Sequence, residues 1–260
     1  MSTTTLTPTV PDEKPPIDIE TISDQEKKEL ITSDVVSILS GATIDASDLS
    51  FKLAKTYHIN AKGIPVLRLP VPPSELVTTV TSPDGSVAYN STRERRSSGN
   101  CVLTNAEGHE LIATQYFFGP GRDPVLMRLD TGVGEDNIVK TVSKWTSRSQ
   151  KFLLRDGRTF EWEYKRERGF GGQDKKGTAL VMTMNGKRIA VLLRNEETRT
   201  PGSKSCSAGN GGELLLDEGI GGKEGIGEEL VIATVLLMLK KEVDRRRTVQ
   251  FLMIASAAGA

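Results

Sequence analysis

Ten residues in the last fifth of the chain constrain everything that precedes them. Leu230 to Leu239 read Leu-Val-Ile-Ala-Thr-Val-Leu-Leu-Met-Leu, apolar at every position except Thr234. Gly227 stands before the run as a cap. Glu228 and Glu229 suit the positive end of a helix dipole, and Lys240, Lys241 and Arg245 to Arg247 suit the negative end. A helix with no polar stripe must be covered on every side, by protein or by lipid. Ten residues rise only about 15 Å, half the thickness of a bilayer core, so the run reads as a buried core helix over about 228–247 and not as a transmembrane span.

A core helix of this kind needs a wall around it, and the preceding 150 residues have the pattern of one. Leu76 to Thr81 and Val87 to Tyr89 flank the turn Pro83-Asp84-Gly85. Cys101 to Thr104 and Glu110 to Phe118 flank Ala106-Glu107-Gly108-His109. Val125 to Leu129, Asn137 to Lys144 and Gln150 to Leu154 continue the series. In Arg158 to Lys165, Phe160, Trp162 and Tyr164 alternate with charged neighbours, the period of a half-buried strand. Ala179 to Met184 and Ile189 to Leu193 are joined by Asn185-Gly186, which supplies the positive φ values of a two-residue hairpin turn. Glu213 to Leu216 adds a last short strand. Many short strands with regular turn signals predict a barrel or sandwich, and an apolar helix that follows such a meander has its place in the barrel interior.

The first 60 residues differ in composition. Residues 1–50 hold three lysines against ten acids, a net of −7, and the other 210 residues carry +7. Residues 1–22, rich in Thr and Pro, read as a disordered acidic arm. Ser23-x-x-Glu26 has capping-box spacing ahead of an apolar-periodic run, which predicts a helix over 24–39 within an N-terminal extension of 23–60. Phe51-Lys52-Leu53 is read as a strand opening, and Ile64 to Pro73 as an extended, proline-punctuated edge. The barrel is assigned to 61–247 and a tail to 248–260, where Phe251 to Ile254 form either a helix extension or an apolar contact patch.

A more specific combination runs through the second half: Gly157-Arg-Thr-Phe-Glu-Trp-Glu-Tyr164, then Arg188-Ile-Ala190, then Gly212-Glu-Leu-Leu-Leu216, closed by Glu228-Glu-Leu-Val-Ile-Ala-Thr234 with its basic end. Over about 75–247 this resembles an uncharacterised fungal domain family whose pattern is similar to the tubby C-terminal, LURP-one-related and phospholipid-scramblase-like barrels. The resemblance implies a closed antiparallel barrel of about twelve strands around one apolar C-terminal helix, as the periodicity also suggests. It further implies binding of phosphoinositide headgroups through basic surface residues.

Little else in the sequence carries chemistry. The two histidines, His58 and His109, and the two cysteines, Cys101 and Cys206, are scattered, so no metal set and no disulfide framework is expected. No nucleophile elbow is present, and a Cys101–His109 pair lacks an orienting third group. The run Gly219 to Gly227 departs from both the P-loop and the dinucleotide fingerprint, because Glu224 stands where Ser, Thr or Gly is required. No catalytic residue and no cofactor is therefore assigned. At 5% aromatics, with no basic stripe, nucleic-acid binding is not expected.

Basic clusters are the remaining candidates. Lys165, Arg166, Arg168, Lys187, Arg188, Arg245, Arg246 and Arg247 form the candidate site for anionic lipid, should they share a face. The sequence thus predicts a mainly β chain with some α: a closed antiparallel barrel around a buried C-terminal helix, plus a short N-terminal helix. Its expected role is that of a non-enzymatic binding module for anionic lipid headgroups. The alternative is a protein-interaction module using barrel loops and the chain's two ends. The N-terminus lacks a signal-peptide pattern, so a cytoplasmic setting, peripheral to membranes at most, is expected.

Overall fold

In a computed structural model, residues 22–39, 51–66, 75–96, 98–129, 137–221 and 225–258 are described. The arm 1–21 and the segment 67–74 lie outside them.

Among the described residues two helices and fourteen strands follow one another along the chain. Helix α1 is Asp24–Leu39; the strands begin with β1 (Leu53–Asn60), β2 (Lys62–Ile64), β3 (Val77–Thr81), β4 (Val87–Thr92) and β5 (Cys101–Asn105). They continue with β6 (Glu110–Gln115), β7 (Val125–Arg128), β8 (Ile138–Val142), β9 (Gln150–Leu153) and β10 (Thr159–Arg168). Last come β11 (Lys176–Met184), β12 (Lys187–Leu193), β13 (Ala208–Asn210), β14 (Glu213–Asp217) and α2 (Glu228–Ala258).

Twelve of the strands close an antiparallel barrel. From β3 to β12 each pairs with its neighbour in sequence; β12 then pairs with β14, β14 with β1, and β1 returns to β3. The alternation read from the sequence is the pleat of this wall. Ile59, Val80, Leu103, Ile112, Leu126, Val139, Phe152, Phe160, Leu192 and Leu214, from ten strands, share one core with Leu230 to Leu239 of α2. That shared core is the physical reason the apolar run lacks a polar stripe: strands face it from every side. Its one polar residue is satisfied inside. The Trp162 indole N–H donates to Thr234 Oγ1 at 2.9 Å, and the Thr234 hydroxyl donates to the Val231 carbonyl at 3.0 Å. Beside it Phe152 and Phe160 stack at 4.9 Å.

The Asn185-Gly186 turn has φ of 52° and 75°, the left-handed pair that a type I′ hairpin requires. The β10–β11 hairpin runs past the barrel rim and folds back. Phe170 at its tip packs on the outward-facing Ala179, Val181 and Val191, so Ala179 to Met182 are buried on both faces of the wall.

Three boundaries differ from the sequence reading. The barrel starts at β1, ahead of residue 61: Leu53 to His58 register with Asp217 to Glu213, and this seam closes the cylinder. The stretch Thr200 to Gly212, to which the sequence reading gave no strand, contains β13, which pairs with β2 and lies against α2 at Gly209. Finally, α2 does not stop at Arg247. Lys241, Arg245, Val249 and Leu252 are spaced by four, four and three, and all four are buried, so one covered stripe carries the helix past Arg247 to Leu252, and its backbone runs on to Ala258. Helix α1 matches its predicted span, with the capping box formed: the Ser23 N–H donates to Glu26 and the Glu26 N–H to Ser23 Oγ. No described helix is long and apolar enough to cross a membrane.

Candidate functional site

The two mouths of the barrel are built differently. Where α2 enters, its first carboxylates form a plug. Glu228 accepts from the Tyr57 and Tyr89 hydroxyls at 2.7 and 2.6 Å and pairs with Lys55 at 2.7 Å; Glu229 pairs with Arg128 at 3.0 Å. Burial works against the Glu228 carboxylate, but Lys55 and the two tyrosines outweigh it and hold its pKa below the ordinary value.

Where α2 leaves, charge goes deeper. Glu242 accepts from Arg194 at 2.7 and 3.3 Å and from the Gly209 N–H at 2.8 Å. The Tyr164 ring lies against the guanidinium groups of Arg148 and Arg194, 4.3 and 5.5 Å from its centroid. Burial again opposes the Glu242 carboxylate, and Arg194 and Arg148 overcome it, so its pKa is lowered. Lys240 pairs with both oxygens of Asp244 at 2.7 and 2.8 Å and lines a cavity of about 60 Å³ with Cys101, Tyr116 and Arg93. Lys241 points the other way. Its ammonium donates to Ser143 Oγ at 2.9 Å and to Gln150 Oε1 at 2.7 Å, both neutral acceptors. Burial, with Arg245 adding to it, brings the Lys241 pKa down to about 7, against a weaker pull from Asp123.

Outside this polar layer the α2 extension meets α1 and the loop between β8 and β9. Leu30 packs with Val249, Leu252 and Trp145. The Trp145 indole N–H donates to Glu26 at 2.9 Å and the Thr146 hydroxyl to Glu29 at 3.1 Å. Hydrogen bonds to Glu26, the one from Trp145 foremost and those from Ser23 after it, lower the Glu26 pKa. A cleft of about 440 Å³ separates the first turns of α1 from the loop Gly119 to Asp123. Further along α2, Phe251, Met253 and Ile254 are exposed at 54%, 44% and 44%.

The eight basic residues chosen from sequence do not form one open cationic face. Lys187 pairs with the buried Asp217 at 2.8 Å, and Arg188 holds Glu167 at 2.7 and 2.9 Å while lying over Phe170. Lys165 pairs with Glu163 at 2.8 Å and Arg168 with Asp174 at 2.6 Å; Arg166 is exposed. Arg245 is a correction. It is buried, and its guanidinium donates to the Thr146 carbonyl, because it continues the covered stripe of α2. Arg246 and Arg247 are half-buried and engaged. The Arg188–Glu167 pair joins two of the clusters on the outer wall, whereas Arg245 to Arg247 belong to the mouth where α2 leaves.

The structure also places the cysteines and histidines. Cys101 registers with Thr114, and Thr104 with Glu110, so Cys101 and His109 stand at opposite ends of one hairpin. His58 lies on β1, separated from β5 by β3 and β4; burial lowers its pKa, with Glu213 opposing. Cys206 is exposed. Among the described residues no group of His, Cys, Asp and Glu is arranged to hold a metal.

The part of this mouth that sequence reasoning did not assign to particular residues is the α1 contact. Its signal was present, since Glu26, Glu29 and Leu30 lie at i, i+3 and i+4 on one helix face. Compared with models of protein families, with curated proteins and with solved structures, the chain finds no match.

Proposed function

We propose that the protein is a non-catalytic binding module, acting inside the cell, that uses the mouth where α2 leaves the barrel to engage a protein partner. The observation that carries this reading is the exposed run Phe251, Met253 and Ile254 beside a docked α1, on a helix whose other face is buried. Apolar side chains at this exposure, on an element fixed at its base by the barrel core, suit a contact surface. The interior supports the same choice. It is filled by α2, so a binding surface has to be external. The kinship with tubby-like barrels belongs to the proposal as an account of the fold. Headgroup binding draws on the same kinship, but half of the cations it would use, Lys165, Arg168, Lys187 and Arg188, are paired with carboxylates, and a paired cation offers little attraction to a second anion.

Photo-crosslinking from position 253 of the full chain in cells tests the reading. The expected result is a discrete protein adduct that is lost when Phe251 and Ile254 are changed to Ser, with no adduct from position 142 on the barrel wall. Absence of any adduct, together with salt-sensitive binding to phosphoinositide vesicles, would overturn it in favour of the lipid module.

A further inference from the structure

The first turns of helix α1 touch the rest of the protein along one narrow line. Among its described side chains, Glu26, Glu29 and Leu30 make the contact, with Ile22 buried just before it. Asp24, Gln25 and Lys28 are exposed on its other sides. All twelve barrel strands pair among themselves, so no strand loses a partner if α1 leaves. The cleft of about 440 Å³ under its first turns shows that the helix spans the surface without sealing it. An element held this way is seated on the barrel and is no part of its wall.

The seat has its own chemistry. With α1 lifted, it is an apolar notch of Trp145, Val249 and Leu252. The Trp145 indole N–H and the Thr146 hydroxyl stand at its edge as two donors, and Arg122 and Lys144 line the adjoining cleft. Such a surface selects a helix that presents a leucine to the notch and carboxylates to the donors one turn away. In α1 this is Glu26-x-x-Glu29-Leu30. Charge acts in the same sense over longer range, because residues 1–50 carry −7 and the remainder +7.

We propose that this seat is a docking groove for an acidic amphipathic helix of the pattern Glu-x-x-Glu-Leu from a partner protein, and that α1 is its intramolecular occupant, shielding the groove until displaced. The inference builds on the reading of this mouth as a protein-binding surface and names the partner's chemistry. A tethered ligand lowers the apparent affinity of a competitor by its effective concentration, so α1 sets the threshold that a partner helix must exceed.

The test uses the full chain carrying Glu26→Lys and Leu30→Asp, with acrylamide quenching as the readout. Trp162 is fully buried against Thr234, so the quenchable fraction reports Trp145. The variant is expected to expose Trp145 while Trp162 stays protected. A synthetic peptide of residues 20–40 should then bind in saturable fashion and restore protection, at least tenfold more tightly than it binds the wild-type chain. The same peptide with Glu26→Lys and Glu29→Lys should fail. If Trp162 is exposed as well, the double variant has unfolded the barrel. A second form then decides, with a protease site placed between α1 and β1 and cut in the otherwise unaltered protein. Release of α1 from a barrel that stays folded, and its rebinding on addition, supports the groove. Release only on global unfolding, or no binding of the peptide to a chain with Trp145 exposed, overturns it. Peptide exchange reads the groove without any cellular partner, so failure of the crosslinking experiment and failure of this one are separate results.

Discussion

Lys241 shows how far a single side chain can be moved by its surroundings. It lies one residue from Lys240 but on another face of α2. Lys240 meets Asp244, whereas Lys241 meets only the neutral oxygens of Ser143 and Gln150. Its folded pKa of about 7 stands below the ordinary 10.5, so between those values the unfolded chain holds the proton more firmly. Stability therefore rises with pH across that window and is lowest below about pH 7, where both states are protonated. Each pH step of one across the window adds at most about 1.4 kcal/mol. Urea unfolding at pH 6, 7.5 and 9 should show the rise. Lys241→Met, which removes the buried charge and leaves the Ser143–Gln150 hydrogen bond, should stabilise the protein at pH 6 by about 1–4 kcal/mol and remove most of the slope. Lys240, also lowered by burial though Asp244 opposes it, keeps the remainder. None of this was legible in the sequence. Arg245 to Arg247 stand out there as a cationic run, but whether a cation faces water depends on Thr146, 99 positions away in the chain. The four-four-three spacing of Lys241, Arg245, Val249 and Leu252 was the available clue, and it is weak when two of the four residues are charged.

At the scale of elements the sequence was far more readable, because periodicity is local and partners are not. The strands from β3 to β12 were legible in their alternation and turn residues, and the all-round apolar run specified α2 as a buried helix. Two pieces were not. β2 and β13 are three residues each and pair across most of the chain, so neither shows a period. The fold-back of the β10–β11 hairpin rests on Phe170 meeting Val181 and Val191 on the outer wall, a contact that no spacing announces. Within α2 the informative exception is Thr234. Its hydroxyl is the acceptor for a fully buried indole N–H, so Thr234→Val should cost about 1–3 kcal/mol by leaving Trp162 unsatisfied, despite being nearly isosteric. Thr234→Ser keeps the acceptor and should retain the hydrogen bond, with only a methyl lost. Thermal melts and the near-ultraviolet circular dichroism of Trp162 distinguish the two.

As a whole molecule the barrel is a cylinder whose core arrives from outside the sheet. The inward-facing residues of the wall share one core with α2, so without the helix the wall lacks most of what fills its interior. A chain ended after Gly227 should show no cooperative unfolding transition by circular dichroism and should aggregate, whereas loss of α1 should leave a cooperative barrel. Closure is also the most non-local strand pairing among the described residues, since β1 registers with β14 and the Lys52 N–H donates to Asp217, 165 positions away. Folding dominated by such pairings is slow, in the range of about milliseconds to seconds.

The order of the elements has a consequence for how the protein is made. Translation runs from β1 to β14 before the first residue of α2 exists, and the helix supplies its last residue to the barrel core only at Leu239. At about 5–20 residues per second, the interval from Asp217 to Leu239 lasts about one to four seconds. For that time twelve strands with a bare apolar face are tethered to a ribosome with nothing to enclose. The nascent wall is thus a client for whatever machinery covers exposed strands, and a pause or premature stop in the codons of α2 releases a sticky sheet in place of a protein that is merely shortened.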